Sequence, residues 1–255
     1  TVGSLCWQQS LGENLDLVLS PAPIHKHHGG MIQDCYTRPR TFYEDLCSSL
    51  GRRFRLQTYW GPLAGIGSTR WICRATRHIL KSRHLRTDLL LTYVPHLDYT
   101  LQKHGPSHSG HLRKAVREMV SELAPVLRAA REEGYCILVW GDYAITEARR
   151  AVFPNRILRE AGLFATRSVR GMLYPDLFSS HAFAMVDHQV AHVYIRNRDL
   201  LESIGQCLEE QAGIAEILPH GNMNHPRAGD LILVAEPGSW FAYPWWTEPA
   251  EAPDY

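Results

Sequence analysis

The middle of this chain carries its strongest constraint, a strand–helix–strand pattern. "TDLLLTYVP" (87–95) is a near-continuous apolar run with β-branched and aromatic members. That is the mark of a strand buried on both faces. "GHLRKAVREMVSELAPVLRAAREEG" (110–134) then sets Leu112, Val116, Met119, Val120, Leu123, Val126, Leu127 and Ala130 on one helical stripe. "YCILVWGD" (135–142) is short and apolar again. Two strands that need cover on both faces, joined by a helix with one apolar stripe, form a parallel sheet with helices packed on it. Pro125 should bend the helix and Gly134 should end it.

The flanks fit the same class. "LDLVLS" (15–20) reads as a short buried strand, and the Pro/Gly/His-rich stretch after it as an exposed loop. "TFYEDLCSSLG" (41–51) is a helix with a Gly stop, and "RLQTYW" (55–60) a strand. Residues 67–83 are an amphipathic helix with Ser68 or Thr69 as its cap. "YVPHLDYTLQKHGP" (93–106) turns abruptly polar after the apolar run and reads as a strand-end loop. Beyond it come a short helix in "PNRILREAGLF", two strands joined at Asp187 and His188, and a helix over 198–213. Residues 229–243 give a strand, a turn at Pro237-Gly238 and an aromatic strand. No repeat, linker or low-complexity tract interrupts the pattern, so one α/β domain over 1–255 is expected.

Composition excludes several classes. A formal charge of +1, with Arg and Lys spread along the chain, gives no basic excess, so nucleic acid is not an expected partner. No apolar run approaches the ~18 residues of a membrane span. The six cysteines form no CxxC pair, which leaves reduced and mostly buried thiols, with Cys136 in a strand and Cys207 in a helix. That usage points to a cytoplasmic location. The opening lacks an initiator Met or signal peptide and the close lacks a cap, so a piece of a longer protein is expected. The oligomeric state is not written in the sequence.

In open α/β sheets ligands bind beyond the carboxyl ends of the strands. Asp98 follows the 87–95 strand and Asp142 the 135–140 strand. Adjacent strands ~4.8 Å apart would bring both carboxylates to one cation; the alternative is that each caps a helix or turn. His188 and His192 would share one face of a strand, as metal ligands or as satisfied edge residues. Gly65 and Gly67 precede a helix without the full P-loop pattern and read as a helix start. His25, His27 and His28 read as solvated, and the Trp/Tyr cluster at 240–246 as packing.

Several strings taken together resemble a known family. "YVPHLDYTLQKHGP", "WGDYAITEA", "AFAMVDHQVAHVYI", "HPRAGDLILVAEPGSWFAY" and the closing "APDY" look like the type I phosphodiesterase/nucleotide pyrophosphatase family of the alkaline phosphatase superfamily, truncated at both ends. The resemblance implies a three-layer α/β/α fold with a central, mostly parallel sheet. It implies hydrolysis of a phosphodiester or phosphoanhydride bond in a phosphorylated small-molecule substrate. Two divalent ions, usually zinc, and a Thr or Ser nucleophile would do this, the nucleophile being expected upstream of Thr1. The family's Asp, followed four residues on by His, falls on Asp98 and Gln102; its Asp-His pair falls on Asp142 and Tyr143. Asp98 and Asp142 are thus the implied metal ligands, with Gln102, Tyr143, His188 and His192 as further candidates and His104 as a substitute. The alternative is a degenerate homologue that binds a phosphorylated ligand or a partner protein without turnover.

Overall fold

A computed structural model describes residues 1–8, 10–141, 143–222 and 225–253. Two compact units, 1–145 and 146–255, divide the chain. In the first, β1 (Val2–Leu5) and β2 (Leu17–Pro21) are followed by a small exposed hairpin, β3 (Ile24–His25) with β4 (Met31–Ile32), and then by β5 (Cys35–Arg38). Next come α1 (Phe42–Leu50), α2 (Ile66–Lys81), β6 (Leu89–Thr92), α3 (His96–His104) and α4 (Ser109–Glu132).

The sheet order is β5-β2-β1-β6. β1 pairs parallel with β2 and with β6, and β5 runs antiparallel at one edge. α2 explains most of the packing. Its Trp71, Ile72, Ala75 and Ile79 join Leu5, Leu19, Phe42 and Leu46 in one core. Its other stripe, Cys73 and Leu80, meets Val126, Ala129 and Ala130 of α4. Each such aliphatic side chain contributes roughly 1.5–3 kcal/mol by leaving water. Burial pushes the Cys35 and Cys73 thiols up to about 12, so they pack as small apolar groups.

The structure differs from the sequence expectations in this unit: β1 and β5 were not read as strands, the β3–β4 hairpin lies in the expected loop, and five further places differ. Residues 55–60 hold a 3-10 turn, Leu56–Thr58, because buried Leu56 is not followed by strand alternation. Ser68 and Thr69 lie inside α2 and are buried; Gly65 is the N-cap. β6 is not covered on both faces: it ends its sheet and Leu89 is half exposed. The expected polar loop at 93–106 is mostly α3. Finally, 135–140 forms no strand; Leu138 and Val139 are 78% and 73% exposed, and Cys136 is exposed with them. Apolarity alone does not supply a ladder partner. Pro125 lies inside α4, as expected.

The second unit contains β7 (Arg150–Val152), α5 (Pro154–Glu160), the hairpin β8 (Thr166–Val169) with β9 (Met172–Pro175), and the hairpin β10 (Ala182–Asp187) with β11 (Val190–Ile195). α6 (Leu201–Glu209), β12 (Ile214–Pro219), β13 (Leu231–Ala235) and β14 (Ser239–Phe241) complete it. The order β10-β11-β13-β12 is antiparallel throughout, and β14 pairs parallel with β7. Its core joins Leu158, Ala184, Val193, Ile204 and Leu233. The free edge of β10 is covered from α5. Asn155 Nδ2 donates to the Ala184 carbonyl at 2.9 Å, and its Oδ1 accepts from the Ala184 N–H at 2.7 Å.

Candidate active site

Asp98 stands in the first turn of α3, where a carboxylate is favoured by the helix N-terminus. Gln102 is one turn further on, and on a helix residues four apart are neighbours. Gln102 Nε2 donates to both Asp98 oxygens, at 2.9 Å each. The Tyr143 hydroxyl donates to Asp98 Oδ1 at 2.5 Å. Three of the candidate residues, from two separate segments, therefore meet at one carboxylate.

That carboxylate lines a cavity of about 500 Å³. Its walls are aromatic: the indoles of Trp7 and Trp60 and the phenols of Tyr59, Tyr93, Tyr99 and Tyr143. Gln8 lines it as well, and Asp98 is the single charged residue among the described lining. Buried Tyr59 anchors the wall, its hydroxyl donating to the Cys6 carbonyl at 3.1 Å. Trp7 packs edge-on against Tyr93 and, at 5.5 Å, against Trp140. The Tyr99 and Ser68 hydroxyls are 3.4 Å apart.

Burial pushes the Tyr99 and Tyr59 phenols well up. Tyr143 is raised too, by burial first and then by Asp98 and Tyr93. As the whole residue is 55% exposed, the hydrogen bond to Asp98 is its firmer cause. All three phenols stay protonated, and none is set up as a phenolate nucleophile.

The other candidates are placed elsewhere. Asp142 lies outside the described residues. His96 is buried and its Nε2 sits 3.1 Å from Glu118, tying α3 to α4. His104 stacks on His111 with centroids 3.9 Å apart. In the second unit, His188 is not on a strand: it sits in the β10–β11 turn with φ 55° and pairs with Asp187 at 2.7 Å. His192, in β11, accepts the Gly229 N–H on Nδ1 at 3.0 Å. The two imidazoles thus have separate partners. The aromatic wall escaped the sequence reading because Trp7, Tyr59 and Tyr99 lie far apart in sequence and meet only through tertiary packing.

The model of the type I phosphodiesterase / nucleotide pyrophosphatase family matches residues 5–255. The chain belongs to this family. No curated protein sequence matches it. Two crystal structures of phosphonoacetate hydrolase from Sinorhizobium meliloti are similar to it, one in complex with phosphonoacetate and one with phosphonoformate. Each has a TM-score of 0.54 and 15% identity, and the match covers 78% of this chain and 46% of that chain. The likeness is one of fold, mixed α/β and alkaline-phosphatase-like. The chain spans about half the length of that hydrolase.

The family resemblance implies two divalent ions, and the donors described here do not by themselves fit them. Both Asp98 oxygens accept from Gln102, which turns its amide N–H groups, and not its carbonyl, toward the carboxylate. Tyr143 adds a protonated phenol. Among the described residues no three His, Cys, Asp or Glu side chains are placed to hold an ion.

Proposed function

We propose that this protein is a hydrolase of phosphodiester or phosphoanhydride bonds, and that the cavity at Asp98 is part of its substrate site. The family match over residues 5–255 carries this reading. The position of Asp98, just beyond β6 on a cavity of ligand size, supports it. Divalent-metal dependence, with zinc as the ion, and the roles of Asp98 and Asp142 as ligands enter from the family alone.

The chain's own residues have definable work in such a site. Gln102 and Tyr143 fix the Asp98 carboxylate, and the aromatic side chains of Trp7, Tyr93 and Tyr99 line the cavity beside it. A second reading is a degenerate homologue that binds a phosphorylated ligand or a partner protein. The Gln102 amide on Asp98, where the family has an imidazole, favours it.

Hydrolysis of bis(4-nitrophenyl) phosphate separates the two. The 255-residue chain and the complete gene product are assayed with chelator and with zinc restored. The complete product should turn over. Asp98→Ala and Asp142→Ala should each lower kcat/KM by at least ~100-fold. Turnover that both substitutions leave intact would sink the site assignment, and no turnover at any metal concentration would favour the degenerate reading.

A further inference from the structure

A smaller cavity, about 260 Å³, opens in the second unit at the end of the β10–β11 hairpin opposite its turn. Alternation along the two strands sends Ala182, Ala184, Val193 and Ile195 into the core. Phe183 and Tyr194 therefore face the other way. The register sets them opposite each other, and their rings stack with centroids 5.2 Å apart at 24°. Both are half-buried, so ring surface is left open. One step further on, the Arg196 N–H donates to the His181 carbonyl at 2.8 Å. Arg196 and His181 are thus the next cross-strand pair, and their side chains leave the sheet on the same face as the two rings. All four residues line the cavity.

The charges around this ladder are unevenly matched. The Arg196 guanidinium donates to the Phe178 carbonyl, and among the described residues it forms no ion pair. Asp230 is the single carboxylate on the described wall. It is already engaged: its Oδ2 accepts the Ile195 N–H at 2.8 Å, and its Oδ1 stands 3.7 Å from Arg198. The cavity therefore offers open guanidinium N–H groups beside stacked rings. A planar carboxylate matches the guanidinium fork with two parallel hydrogen bonds. A doubly charged anion would find one guanidinium and the repulsion of Asp230. A small aliphatic acid would leave the ring pair unused, whereas an aromatic ring adds offset or edge-on contact with it. The volume suits one small ring system.

We propose that this cavity binds an aromatic carboxylate. The ring packs against Phe183 and Tyr194, and the carboxylate accepts from Arg196, with the His181 imidazole beside it. This inference does not rest on the hydrolase reading.

Isothermal titration of the 255-residue chain with 2-naphthoate tests it, with the neutral isostere 2-naphthamide and the dianionic 2-naphthylphosphonate as comparison ligands. Naphthoate should bind at least about tenfold more tightly than the amide, as a charge-assisted pair does over a neutral one. Arg196→Gln should remove that advantage while leaving amide binding within about threefold. Tyr194→Leu should weaken both ligands by about fivefold, and Tyr194→Phe, which keeps the ring, should restore them to within about twofold of the parent. Arg196 is exposed and Tyr194 half-buried, so neither change empties the core; a thermal melt confirms that each variant folds. Equal binding of acid and amide would reduce the cavity to an apolar pocket and overturn the proposal. So would naphthoate binding that Arg196→Gln leaves intact, which would place the ligand elsewhere, and so would the absence of naphthoate binding. Tighter binding of the phosphonate than of naphthoate would overturn the choice of carboxylate.

Discussion

At the scale of single residues, His192 shows how an imidazole on a strand is decided by its neighbour. Gly229 donates its N–H to His192 Nδ1, and its carbonyl lies 3.0 Å from His220 Nδ1. The glycine is required by space. A Cβ there would stand 2.7 Å from the Val193 carbonyl oxygen, 2.8 Å from the Val193 nitrogen and 2.9 Å from the Leu231 oxygen. All three are backbone atoms of the β11–β13 ladder and cannot swing aside. Gly229→Ala should therefore cost about 3 kcal/mol, by overpacking and by pulling the N–H off His192. Urea unfolding at neutral pH measures it, and a loss below about 0.5 kcal/mol would show that the ladder gives way. The sequence offered His192 as ligand or edge residue without choosing. Its hydrogen-bond partner lies 37 positions away, and only the fold supplies it. Asp98 and Gln102 were legible because their spacing is local.

At the scale of elements, α3 had stop signals in plain view, Gly105 and Pro106, yet it is short and polar, so its periodicity was weak. α4, with a long apolar stripe, was legible along nearly its whole length. A 3-10 turn late in the second unit, Pro249–Glu251, is pinned to α5 by one ion pair. Arg159 donates to both Glu251 oxygens, at 2.7 and 2.8 Å, and the Thr247 hydroxyl donates to Glu251 Oε2 at 3.0 Å. Arg159 is the main reason that the Glu251 carboxyl is held down at about 2, against the opposing effect of burial. A carboxyl lowered on folding stabilises above its unfolded value, near 4.5, and that contribution is lost as pH falls through about 2. Arg159→Leu should lower Tm near neutral pH, and the gap to the parent should close as pH is lowered from about 5 to about 2. Thermal melts across that range provide the check; a gap that stays constant would mean the ion pair is not its source.

For the whole molecule, the class was legible and the full strand set was not. β2 and β6 stand where strands were expected, but β1, which pairs parallel with both, was not read from the sequence, and the expected partner at 135–140 forms no strand; the β10–β11 hairpin turns where Asp187 and His188 indicated. β7, β8, β9 and β12 are short or half exposed, and their pairing energy comes from partners elsewhere in the chain. The run Ile137–Trp140 is the opposite case, since its apolarity promised burial that the fold does not provide. Tyr135 before it packs beside the α2–α4 core, and Trp140 rests on Trp7, while Leu138 and Val139 between them face solvent. A short uncharged stretch of high β-propensity without proline is a template for self-association when exposed. Replacing Leu138 with Lys and Val139 with Glu together should leave the folded state nearly untouched, because exposed substitutions cost within about 0.5 kcal/mol. Tm should stay within about 3 °C of the parent. Light scattering on heating should fall, since the paired charges remove the sticky stretch. A larger drop in Tm would mean that these two side chains are packed in solution, and unchanged scattering would mean that association begins at another surface.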